Sequence, residues 1–81
     1  MRVHVQFYSQ LRDLAGAPGL IVDLAEGATV TDLLAKVYAK IPALRSRDKS
    51  ILVGAGVEFV DRNYKVQPAD EISIMPPVQG G

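Results

Sequence analysis

One mixed β-sheet packed on one face by a single long helix, an α+β domain, is the fold class this sequence predicts. Three features predict it. Apolar and polar residues alternate from Val3 to Phe7; one amphipathic stripe, Val30 to Ile41, spans about three helical turns; and short apolar runs broken by Gly, Pro, Asn and Asp follow. A chain of 81 residues buries only about 60–65% of the surface it exposes unfolded, enough for one core and too little for a second domain.

Val3, Val5 and Phe7 fall at period two, with Arg2, His4, Gln6 and Tyr8 on the other face, so the first strand is half-buried. Ser9 can cap a short helical segment, Gln10 to Ala15, which Gly16-Ala17-Pro18-Gly19 turns back. Leu20, Val22 and Leu24 alternate with Ile21, Asp23 and Ala25, giving a second strand that runs to Glu26-Gly27 and forms a loosely connected hairpin with the first. Thr29-Val30-Thr31-Asp32 has the spacing of a capping box, with Asp in place of the usual Glu, and opens the long helix. Val30, Leu33, Leu34, Val37, Tyr38 and Ile41 form its apolar stripe, while Asp32, Lys36 and Lys40 face water. Pro42 lacks an N–H and disfavours helical geometry at Ile41, which ends the helix. Residues 43–50 read as a charged connection, Ile51-Leu52-Val53 as a brief third strand, Gly54-Ala55-Gly56 as a turn and Val57–Val60 as a fourth strand. Asp61-Arg62-Asn63 is a further turn, and a last strand, Glu71–Met75, follows Pro68-Ala69-Asp70 with Ile72 and Ile74 inward. With right-handed crossovers this order leaves few topologies, of which a five-stranded β-grasp sheet is the simplest.

Nine Lys plus Arg balance nine Asp plus Glu and no basic run concentrates charge, so the phosphate attraction behind most nucleic-acid binding is missing. No apolar stretch approaches the roughly 20 residues that span a bilayer, and the N-terminus lacks the continuous apolar run of roughly 7–15 residues found in secretory signals. The expectation is a soluble, cytoplasmic protein with no nucleic-acid or membrane partner. The absence of Cys excludes disulfides, Cys-based zinc sites and a thiol nucleophile.

Several weaker motifs have plainer readings. Gly54-Ala55-Gly56 is no dinucleotide fingerprint, because Phe59 stands at the third glycine position and no helix follows. His4 would need a Ser and a carboxylate to converge on it for nucleophilic catalysis. Asp70 and Glu71, adjacent at a strand start, point to opposite faces, and no metal site is expected. Arg45, Arg47 and Lys49, with Asp48 among them, read as a solvated loop, with docking of an acidic partner surface by this positive patch as the alternative. Tyr8, Ile21, Leu52 and Met75 have the phase opposite to the inward residues, and nothing in the chain is left to cover them; Tyr8, Leu52 and Met75 are the candidate docking residues for a protein partner.

The ending Met75-Pro76-Pro77-Val78-Gln79-Gly80-Gly81 carries the most chemistry. Pro76 and Pro77 remove ladder donors and hold an extended path directly after a strand, so the chain leaves the sheet. Val78-Gln79 lead into Gly80-Gly81, whose lack of Cβ atoms lets the backbone enter a channel too narrow for other residues. The terminal α-carboxylate, with a reference pKa of about 3.3–3.7, is ionised at neutral pH and able to attack a nucleotide α-phosphate, forming an acyl adenylate. The expected organisation is residues 1–75 as the folded domain and 76–81 as an extended tail. Two terminal glycines also arise by chance, so an inert tip is the plainer alternative.

Three segments together resemble a known family. Phe7-Tyr8-Ser9-Gln10-Leu11-Arg12-Asp13-Leu14-Ala15-Gly16, Ala28-Thr29-Val30-Thr31-Asp32-Leu33-Leu34 and Asp70 to Gly81 are similar to the first strand and short helix, the helix start and the ending of the MoaD and ThiS group of ubiquitin-fold sulfur carriers. Pro-Pro-Val-x-Gly-Gly leans towards the molybdopterin synthase small subunits over the thiazole branch. Val53-Gly54-Ala55-Gly56 departs from the family's Val-Asn-Gly, with Gly56 able to replace an Asn at positive φ. The resemblance implies that a ubiquitin-activating-type adenylating enzyme (MoeB-like) uses ATP to join the Gly81 carboxylate to AMP, and that a sulfur donor converts it to a thiocarboxylate. It also implies that the tail inserts into the large subunit of molybdopterin synthase (MoaE-like) and gives its sulfur to a pterin precursor, building the dithiolene that holds molybdenum. Gly81 would carry the sulfur, Gly80 give access, and Pro76 and Pro77 set direction. The chain would bind no cofactor and catalyse nothing alone. Sulfur delivery to thiazole, cysteine or transfer RNA, conjugation to lysines as a modifier, and a plain interaction module remain the alternatives.

Overall fold

The computed structural model describes residues 1–77. Strand β1, Arg2–Phe7, buries Val3, Val5 and Phe7 and exposes Arg2, His4 and Gln6, as its alternation requires. Helix α1, Ser9–Ala15, buries Leu11 and stops at Gly16, which takes the left-handed φ of 71°. Ser9 is not the cap. It is the first helical residue, at φ 55°, and Tyr8 is the N-cap with no side-chain bond. The reason lies in the sheet: the Tyr8 N–H still donates to Ile74 O at 3.1 Å, so the sharp turn falls one residue later, on Ser9 itself.

Strand β2, Gly19–Asp23, pairs antiparallel with β1, Val3 opposite Val22 and Gln6 opposite Gly19. It is shorter than its alternation suggests. Leu24 stays buried, but its N–H donates to Met1 O and its carbonyl accepts from the N-terminal ammonium, and the chain then turns through Gly27 at φ 83°. Gly19 is a matter of space, because a Cβ there would lie 2.4 Å from Val5 O. Gly19→Ala is expected to lower stability by roughly 1–3 kcal/mol, the usual cost of overpacking, measured by urea unfolding. An unchanged midpoint would mean that β2 shifts without penalty.

Helix α2, Val30–Lys40, opens on the predicted capping box: the Asp32 N–H donates to Thr29 Oγ1 at 3.4 Å and the Thr29 N–H donates to Asp32 Oδ2 at 2.9 Å. Val30, Leu33, Leu34, Val37 and Tyr38 are its buried face, and Ile41 is the partly buried C-cap before Pro42. Residues 43–50 are not an open connection. Pro42–Ser50 forms a 3₁₀ segment that packs on α2 and α1 and buries Leu44 completely. A lone Leu among charges has no apolar periodicity to announce it, which is why the pattern reads as solvated.

Strand β3 is Leu52–Ala55 and β4 is Glu58–Val60, joined at Gly56-Val57 with Gly56 at φ 62°. The expected boundaries therefore move. Ile51 is buried ahead of the strand, Gly54 and Ala55 belong to it, and Val57 is a fully exposed turn residue. Gly54 is paired with Ser73 on one side and Phe59 on the other, with the Met75 methyl 3.4 Å from where its Cβ would stand. Its missing side chain makes room for a neighbour instead of a turn.

Strand β5, Glu71–Met75, lies parallel to β1 and antiparallel to β3, giving one five-stranded sheet in the order β2-β1-β5-β3-β4. Ile72 and Ile74 sit fully buried, in the one core cluster that also takes in Leu33, Leu34 and Val37 of α2. This is the ubiquitin-like β-grasp architecture. No helix among the described residues is long and apolar enough to cross a membrane.

Candidate docking face and tail root

The sheet surface opposite α2 gathers the predicted docking residues at one end. Leu52 pairs directly with Met75 across β3 and β5, and both are half-buried. Tyr8 follows the Phe7–Ile74 pair, is 44% exposed, and donates its hydroxyl to Gln6 Oε1 at 2.7 Å. Ile21, opposite His4, extends the apolar surface across β2, where a broad shallow groove runs over Gln6, Gly19 and Ile21. Phe59 was not placed on this face by its local pattern, yet its pairing with Gly54 puts it there, 66% exposed. The signal was the glycine: a strand position without a side chain leaves its cross-strand neighbour uncovered. His4 stands between Ile21 and Glu71 on the outer face, with no Ser opposite it in the ladder. Among the described residues no group of His, Cys, Asp and Glu is placed to hold a metal.

The tail leaves from the middle of this sheet. β5 is the third of five strands, ends at Met75, and continues into Pro76 and Pro77 outside any regular element, with Pro77 exposed. Val78, Gln79, Gly80 and Gly81 lie outside the described residues. A small cleft flanks the root, where Leu11 and Gln10 of α1 and Arg47, Ser50 and Ile51 meet the two prolines.

The 3₁₀ segment beside this root is held by a polar staple. Arg62 donates to Asp48 Oδ1 at 3.0 Å and to Asp48 O at 2.6 Å, and the Tyr38 hydroxyl donates to Asp48 Oδ1 as well. The Arg62 carbonyl in turn accepts from the N–H and hydroxyl of Thr31 at the start of α2, each at 3.1 Å. One residue thus ties the β4–β5 loop to both helical elements. Arg45 lies over the Tyr38 ring, 5.5 Å from its centre. The hydrogen bond from Tyr38 and then the Arg62 guanidinium hold the Asp48 carboxyl below its ordinary range, against the opposing effect of burial. Burial first, and then the bond to Asp48, push the Tyr38 phenol up.

A carboxyl depressed on folding stabilises the fold above its unfolded pKa of about 3.9, and that contribution fades as pH falls through the lower folded value. Arg62→Ala is expected to cost about 1 kcal/mol near neutrality, the modest yield of a partly exposed pair. Melting temperatures followed from neutral to strongly acidic pH should show a shallower acid loss in Asp48→Asn than in the parent chain. Identical acid profiles would mean that the staple contributes nothing.

The family model described as the ThiS family matches residues 5–81. Over 83 aligned residues the chain is 34% identical to a protein named molybdopterin synthase sulfur carrier subunit from Chlamydomonas reinhardtii, covering 100% of both chains. The crystal structure of SAMP1 from Haloferax volcanii superposes with a TM-score of 0.89 at 29% identity, covering 100% of each chain. A fold likeness at 21% identity and TM-score 0.72, over 100% of each chain, is to the protein–protein complex of subunits 1 and 2 of molybdopterin-converting factor from Helicobacter pylori. The fold is that of a ubiquitin-like β-grasp protein. The chain belongs to the ThiS family.

Proposed function

We propose that this protein is a sulfur carrier, the small subunit of a molybdopterin synthase, whose Gly81 carboxylate is the reacting group. The observation that carries the reading is the exit of the central strand β5 into Pro76-Pro77, outside any regular element, just ahead in sequence of a Gly-Gly ending. Full-length similarity to a protein named molybdopterin synthase sulfur carrier subunit supports it.

The chemistry needs only the chain end from this protein. On a ubiquitin-activating-type enzyme, a Gly81 carboxylate oxygen attacks the α-phosphate of ATP and pyrophosphate leaves. Sulfide supplied by a donor then attacks the acyl carbon, and AMP leaves from the tetrahedral adduct to give the thiocarboxylate directly. The thiocarboxylate sulfur adds to an electrophilic carbon of a pterin precursor in the large subunit, and water then hydrolyses the acyl–sulfur bond, leaving the sulfur on the pterin and returning the Gly81 carboxylate. Tyr8, Leu52, Met75 and Phe59 form the surface on which both partners seat, because a half-exposed apolar patch recovers its hydration cost only when covered. Pro76 and Pro77 limit the conformations the tail must give up on insertion. The chain binds no cofactor, and the steps take place in the cytoplasm.

Intact mass after incubation with a cognate adenylating enzyme, ATP and a sulfide source tests the reading. Exchange of one oxygen for sulfur at the C-terminus is expected; a chain that stays unmodified overturns it. Likeness to a protein also described as small archaeal modifier protein 1 favours a second reading, attachment of Gly81 to lysines. That reading requires higher-mass conjugates in a cell extract.

A further inference from the structure

We infer that Arg47 recognises a carboxylate side chain at the rim of the partner channel that receives the tail. The inference rests on the proposed carrier function and adds a specificity contact to it. Its basis is where the 3₁₀ segment puts its charges. Arg45 is turned onto the Tyr38 ring, and Asp48 is matched by Arg62. Arg47 instead faces the tail root, in the cleft bounded by Pro76 and Pro77. The two ion pairs among the described residues, Arg2–Asp23 and Arg62–Asp48, leave it without a carboxylate.

The cleft suits such a guest. At about 170 Å³ it falls below the roughly 300–1,000 Å³ of small-molecule pockets, but it accommodates a side-chain head group. Leu11, Ile51 and the prolines give it apolar walls, Gln10 and Ser50 add side-chain donors, and no acidic residue lines it. A guanidinium offers a carboxylate two parallel N–H donors, and the pair strengthens once the partner excludes water. On a chain of zero net charge, a single placed cation at the tail root sets register without a general basic field.

The competing guest is the chain's own end. The four residues after Pro77 reach at most about 13–14 Å, so the Gly81 carboxylate is the alternative occupant, and the two have opposite consequences. Binding of the full chain to a molybdopterin synthase large subunit, measured by calorimetry at low and moderate salt, separates them. Arg47→Glu should weaken binding about tenfold or more and reduce its salt dependence, with Arg47→Lys intermediate and an unchanged melting temperature. Lys49→Glu, the same charge change two residues away, should cost no more than about threefold. Equal losses in the two Glu variants would reduce the effect to bulk charge and overturn the inference, as would wild-type affinity in Arg47→Glu. Tighter binding by Arg47→Gln would identify the chain's own end as the guest and also overturn it. Failure of the parent chain to bind at all would instead remove the carrier reading, and this inference with it.

Discussion

A chain that stops at Gly80 is expected to melt with the parent protein and to take up no sulfur. The first half follows from where the core lies, since every buried core residue falls between Val3 and Ile74 and the sheet closes at Met75. The second follows from chemistry. Under the carrier reading the adenylated atom belongs to the last carboxylate, and shortening the tail by one residue withdraws it by about 3.3–3.6 Å. Loss of that order removes a near-attack geometry whose worth is typically several kcal/mol. One added residue after Gly81 should fail equally, because the carboxylate then sits on a residue the channel is not shaped for. Sulfur uptake is read as intact mass, at the level of a control without adenylating enzyme for both variants. Full uptake by the shortened chain would end the proposal, whereas its unfolding would show that the tail belongs to the core.

Leu44→Ala is expected to have the largest effect on stability. Leu44 is 0% exposed, packed beneath α2 from the 3₁₀ segment. Truncating a buried Leu costs about 2–5 kcal/mol, through lost transfer free energy and the cavity left behind. Small domains hold about 5–15 kcal/mol in total, so the melting temperature should fall by roughly 10–40 °C. A solvated loop, which residues 43–50 resemble by pattern, would lose no more than about 0.5 kcal/mol. The same experiment reaches the tail root, because the segment that Leu44 anchors also presents Arg47, Ser50 and Ile51 there. A near-neutral result would mean that the segment does not hold its place on α2.

Much of this protein is encoded locally. The period-two run Val3–Phe7, the Thr29–Asp32 capping box, the α2 stripe and the Pro42 stop involve residues a few positions apart, and each element stands as its pattern requires. The inward pair Ile72 and Ile74 belongs with them. Segments whose role depends on distant neighbours were less legible. Gly54 carries the mark of a turn until its partners on β5 and β4 are known, and Phe59 acquires its face only through that pairing. Gly19 marks a turn by composition but is required by the approach of Val5 O. Leu44 lacks periodic company, and Arg62 becomes a staple only when Asp48, remote in sequence, is brought to it.

The sequence by itself determined the chemistry available: no thiol, one long helix, and a Pro-Pro-Val-Gln-Gly-Gly ending. Tertiary structure decided where that ending starts. By seating β5 between β1 and β3, it put the tail root at the end of the middle strand, next to the Leu52–Met75 pair and beside Arg47. The physical reason is range. Backbone hydrogen bonding and side-chain period are satisfied within a few residues, whereas strand order depends on burying Ile72 and Ile74 from both sides at once, a condition that only the closed chain can meet.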